Sequence, residues 1–88
     1  MNDIQKIKNT IRTYVKDNFL FGFSDEDLHD DTSFLEIGVL DSTGIMEMVT
    51  FIEREFGISV LDEEIVSENL DSINLIANFV SKKLTLHS

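Results

Sequence analysis

Cysteine is absent from the 88 residues, which excludes disulfides and thiolate metal sites. The two histidines, His29 and His87, are far apart in the chain, which argues against a zinc site. Proline is also absent, and glycine occurs only at Gly22, Gly38, Gly44 and Gly57. Strand alternation is weak, and there is no internal repeat or low-complexity segment. No apolar run reaches the length of a membrane span, and no signal-peptide pattern opens the chain. The expectation is therefore a cytoplasmic, all-helical protein in one domain, residues 1–88. Its hydrophobic share, 42%, suffices for a core.

Basic residues are the next scarcity. Seventeen acids against seven bases give a net charge of −10. Lys6, Lys8, Arg12 and Lys16 lie near the start, and Lys82 and Lys83 near the end. Between residues 17 and 71 there are sixteen acids and one base, Arg54. A field of that sign repels phosphate backbones, which disfavours nucleic acid as a partner and favours basic protein surfaces.

What is present is helical periodicity. Ile4, Ile7, Ile11, Tyr14, Val15 and Phe19 recur at helical spacing, with Lys6, Arg12 and Lys16 opposite, which predicts a helix over residues 3–19 with Gly22 beyond its end. Residues 20–41 show no sustained period, and a loop of that length in a small domain is usually functional. Its apolar anchors are Phe34, Leu35, Ile37 and Leu40. Ser33 and Glu36 fit a capping box around a single helical turn. Asp25, Asp27, Asp30 and Asp31 lack the glycine that a calcium loop needs at its sixth position, so they read as a solvated acidic loop, with His29 exposed among them.

Ile45, Val49, Ile52 and Phe56, with Met48 beside them, form the stripe of a second long helix. Asp41 or Ser42 stands at its N-cap and Gly57 closes it. Ile58, Ser59 and Val60 run extended, and a short helix follows over residues 62–67. Asp71 is expected to cap the last helix, whose stripe is Ile73, Ile76, Ala77, Val80 and Leu84. Lys82 and Lys83 suit its C-terminal end. Ile7, Ile11, Val15, Val49, Ile52, Phe56, Ile73, Ile76 and Val80 should make the core. Met46 lies off the core stripe beside Glu47, Thr50 and Glu53. It is either an adaptable partner contact or a scattered surface residue.

No catalytic constellation is present. Neither histidine lies in a recognisable nucleophile context, and there is no glycine-rich phosphate loop. Ser42, at the end of the long loop and the start of a strongly amphipathic helix, sits at a positive helix end that favours a phosphate group. Taken alone, an Asp-Ser pair there is a helix cap.

The run Asp31-Thr32-Ser33-Phe34-Leu35-Glu36-Ile37-Gly38-Val39-Leu40-Asp41-Ser42 resembles the approach to the modified serine of acyl carrier proteins. Ile45-Met46-Glu47-Met48-Val49 and Ile52-Glu53-Arg54-Glu55-Phe56-Gly57-Ile58 are similar to that family's second helix, and Asp62-Glu63-Glu64 to its short third helix. The resemblance implies a four-helix bundle with three main helices, one short helix and a long loop between helices 1 and 2. It implies that Ser42 carries a covalent 4′-phosphopantetheine arm, derived from coenzyme A, whose thiol holds an acyl or aminoacyl group as a thioester. Asp41 would help coordinate magnesium during attachment, and Met46, Glu47 and Glu53 would face partner enzymes. Those partners would be a phosphopantetheinyl transferase, an acyl or aminoacyl ligase, and a downstream acyltransferase or condensing enzyme. The chain would act as a monomeric carrier and not as an enzyme.

Thr43 stands where fatty-acid-type carriers usually have leucine, and Gly44 follows it at a cost of about 1 kcal/mol in helix propensity. This Gly-x-Leu-Asp-Ser-x-Gly arrangement is more similar to D-alanine carriers and other stand-alone carriers. Gly44 serves either close packing in the first helical turn or clearance for the arm or a partner. The alternative function is an acidic helical adaptor or inhibitor of a basic surface, with Ser42 only a cap.

Overall fold

The computed structural model describes residues 3–19 and 28–86. They form three long helices and two single-turn helices: α1 (Ile4–Phe19), α2 (Phe34–Ile37), α3 (Ser42–Phe56), α4 (Ser67–Leu70) and α5 (Ile73–Leu86). A 3-10 turn, Asp62–Glu64, precedes α4. No strand occurs among the described residues. Gly22, Asp25 and Asp27 lie outside them.

The three long helices follow from their stripes. Ile7, Ile11 and Val15 bury one face of α1, Val49 and Ile52 the inner face of α3, and Ile73, Ile76, Ala77 and Val80 that of α5. Helix α5 is the element against which α1, α3 and α4 pack. Phe34, Leu40 and Leu28 complete the same cluster from the α1–α3 connection. The Asp3 carboxylate accepts the Gln5 N–H and starts α1. Asp41 is the N-cap of α3, accepting the Gly44 N–H at 2.7 Å. Gly57 ends α3 at φ 67°, a left-handed conformation that suits glycine.

Four expectations change. Asp71 does not cap α5. Ser72 does, its Oγ accepting the Leu75 N–H at 3.1 Å, while Asp71 serves α2. The short helix expected over residues 62–67 divides into the 3-10 turn and α4, because Ile65 and Val66 leave the helical path between them. Leu35, expected as an anchor, is 55% exposed: a one-turn helix turns Phe34 and Ile37, three residues apart, inward and leaves Leu35 outside. Phe56, in the last turn of α3, is half-buried against the core and not within it.

Polar contacts hold the α1–α3 connection down. Arg12 donates to the Leu28 carbonyl and to Asp30 Oδ1, both at 2.6 Å, and Lys8 lies 3.8 Å from Asp30. From α5, the Asn74 backbone N–H donates to the Asp30 carbonyl at 2.9 Å and its side-chain amide donates to Asp31. The Asp30 carboxylate is thus tied to cations and the Asp31 carboxylate to an amide, and His29 is exposed beside them.

Candidate functional site

Ser42 occupies the first position of α3 and is exposed. Its hydroxyl has no hydrogen-bond partner among the described residues. The cap that a serine could have provided comes from Asp41, whose Oδ1 takes the Gly44 N–H. The hydroxyl lies at the positive end of a fifteen-residue helix. Gly38, at φ 74°, lets the chain leave α2 and turn towards that helix start.

Gly44 is buried in the first turn of α3. A Cβ there would lie 3.1 Å from the Leu40 side chain, 3.3 Å from Asp41 Oδ1 and 3.3 Å from the Phe19 ring. Of the two readings of this glycine, close packing is the one its surroundings favour. The absent side chain lets α1 approach α3 and keeps the Asp41 cap undisturbed.

Ser42 borders an apolar groove of about 340 Å³. Ile45 and Met46, three and four residues on, continue its α3 side. Leu35 from α2 and Ile65, Val66 and Leu70 from the segment around α4 complete its lining. A second groove, of about 820 Å³, runs between α1 and α3, where Met46 and Glu47 meet Tyr14, Phe51 and Arg54. Met46, 51% exposed, borders both. Tyr14 stacks on Phe51 with ring centroids 3.9 Å apart. Burial, reinforced by the negative charge of Glu47, raises the pKa of the Tyr14 phenol.

Ser42 and Met46 therefore share one groove, and Met46 and Glu47 share the next. Glu53 lines neither. Its Oε2 accepts the Val60 N–H at 2.9 Å and fixes the extended segment after Gly57. Leu35, Val66 and Leu70 carry no groove signal in the sequence, because nothing in a four-residue helix or a split one gives a period to read. Ser72 was more legible. It stands immediately before the apolar stripe of α5, the position from which an N-cap acts.

Against known families, the model described as "Phosphopantetheine attachment site" matches residues 9–80. The chain belongs to that family. It is a phosphopantetheine carrier, and its cofactor is covalently attached 4′-phosphopantetheine. Such a carrier implies partner enzymes, a phosphopantetheinyl transferase among them. The site around α3 fits the group: a solvent-facing hydroxyl at a helix N-terminus can take a phosphodiester without displacing a buried side chain. Among the described residues, no helix is long and apolar enough to cross a membrane.

Proposed function

We propose that Ser42 is the attachment residue and that the chain, as a single carrier domain and a cytoplasmic monomer, carries an acyl or aminoacyl thioester between partner enzymes. The observation that carries this reading is the pairing of an exposed Ser42 hydroxyl, unengaged among the described residues, with a helix N-terminus and an apolar groove beside it. In attachment, the Ser42 oxygen gives up its proton and attacks the pantetheine-side phosphorus of coenzyme A; the P–O bond of the pyrophosphate breaks, adenosine 3′,5′-bisphosphate leaves with the bonding electrons, and a phosphodiester to Ser42 remains. The arm supplies the thiol on which the cargo travels. Asp41 helps to hold the magnesium ion used by the transferase. One of its oxygens is committed to the Gly44 N–H, and the other has no partner among the described residues.

The chain's own residues supply recognition and positioning, and bond-making belongs to the transferase, the ligase that loads the arm and the acyltransferase or condensing enzyme that unloads it. Met46 offers an adaptable apolar contact, with Glu47 beside it and Glu53 further along α3. Sixteen acids between residues 17 and 71 steer basic partner surfaces towards that face. Incubation with coenzyme A and a promiscuous transferase, followed by intact-protein mass measurement, tests the reading. The expected result is one arm per chain and none on Ser42→Ala. A chain refractory to several transferases would instead support the acidic adaptor, with Ser42 left as an ordinary helix residue.

A further inference from the structure

We propose that Asp71 is a positioning residue that latches the α2 and α4 parts of the lining of the groove beside Ser42 and so sets how well that groove shelters an aliphatic group. The proposal rests on the carrier reading for its consequence, but the latch itself is a property of the chain.

Asp71 follows directly on α4, whose Leu70, with Val66 just before the helix, lines the groove, and its N–H bonds the Ser67 carbonyl. It is not consumed by the helix that it precedes, because Ser72 caps α5. Its acceptors all go to Ser33 and the start of α2. The Asp71 carbonyl accepts the Phe34 N–H at 2.8 Å. Its Oδ1 accepts the Leu35 N–H at 3.0 Å. Its Oδ2 accepts the Ser33 hydroxyl at 2.5 Å, and Ser33 Oγ in turn accepts the Glu36 N–H at 3.1 Å. The first three N–H groups of α2 are thus satisfied by Asp71 or by the serine that it orients.

A single helical turn cannot sustain itself, since nucleation costs more than one turn returns. Helix α2 is four residues long. Phe34 anchors it to the core, but the orientation of its first turn, and with it Leu35, depends on the Asp71 acceptors. Leu35 is the α2 contribution to the groove. Loss of the carboxylate therefore frees the Leu35 wall while leaving Ile45, Met46 and the α3 attachment end in place.

The test has two arms. In the unmodified protein, amide hydrogen exchange at Leu35 and Glu36 should be about tenfold faster in Asp71→Ala, the opening expected when two carboxylate hydrogen bonds are lost, with exchange at Ile52 unchanged. In the holo protein, thioesters of an octanoyl and an acetyl group are cleaved with hydroxylamine. Asp71→Ala should accelerate cleavage of the octanoyl thioester and leave the acetyl thioester at the parent rate, because only the longer chain reaches the groove. Asp71→Asn, which keeps an acceptor for Leu35 and offers Ser33 a donor, should restore most of the protection. Ser33→Ala should reproduce a smaller octanoyl-specific acceleration, and it decides the matter should Asp71→Ala fail to fold. Equal acceleration of both thioesters, or of neither, overturns the proposal, as does unchanged exchange at Leu35 and Glu36. Failure of Ser42 to accept an arm would sink the carrier reading alone, and the exchange measurement would still decide the latch.

Discussion

The two faces of α3 have different compositions and different tasks. Inward, Met48, Val49 and Ile52 are buried and join α3 to α1 and α5. Outward, Ser42, Met46, Glu47 and Thr50 are exposed and border the grooves. Helical geometry separates the two sets by rotation about one axis, so a residue and its neighbour in sequence can belong to different jobs. Met46 and Met48 are the plainest pair: the same side chain serves as an exposed ridge between grooves and, two residues later, as part of the core.

Substitutions on the inner face should break folding, and those on the outer face should spare it. Ile52→Ala should destabilise by about 2–5 kcal/mol, because it empties a fully buried site. Met46→Ala should stay within about 0.5 kcal/mol. Phe56→Ala, from a half-buried position, should fall between them. Chemical denaturation of the three variants checks the order, and a Met46→Ala loss equal to that of Ile52→Ala would erase the distinction.

A smaller effect separates the core from the connection after α3. Lys83 Nζ lies 2.8 Å from Glu64 Oε1, and the same oxygen accepts the Leu61 N–H at 2.9 Å. The Lys83 bond first, and the backbone bond second, lower the Glu64 pKa below its ordinary value. A carboxyl depressed by folding contributes stability above its unfolded pKa, and that contribution is lost as pH falls through the lower folded value. Parent and Glu64→Gln melting temperatures should therefore differ most near neutrality and converge as pH falls below about 4.3, the ordinary glutamate value. A gap that persists at low pH would place the contribution in packing and not in charge.

Small stability changes are also expected on the acidic outer face. Glu47→Lys should alter stability by no more than about 1 kcal/mol, since it is exposed. It should nevertheless slow modification by the transferase at low salt, with the difference shrinking as salt screens the attraction over a Debye length of about 8 Å at physiological ionic strength. Glu53→Lys is a poorer probe of docking, because it also removes the acceptor of the Val60 N–H. Rates measured across a salt series, with melting curves alongside, separate the two.

The long helices were legible because each repeats its apolar stripe over several turns: Ile7, Ile11 and Val15 need only a period of 3.6. The family was legible through the motif that ends in Asp41-Ser42 and not through any period. What the pattern could not reveal was the pairing of distant polar groups. Asp71 and Ser33 are 38 residues apart, and Arg12 and Asp30 are 18 apart. Both acids look like ordinary helix-cap or loop residues until the fold brings their partners alongside. The single turns failed for a related reason, since four residues of α2 contain too little of a period to tell Phe34 from Leu35.

The central claim, that the outer start of α3 carries the arm, is tested most directly by locating that arm on the holo protein. Proteolysis and fragmentation should place phosphopantetheine on Ser42 alone, although Thr43 and Ser67 are exposed hydroxyls nearby. An arm on Thr43, on Ser67 or on any residue other than Ser42 would contradict it.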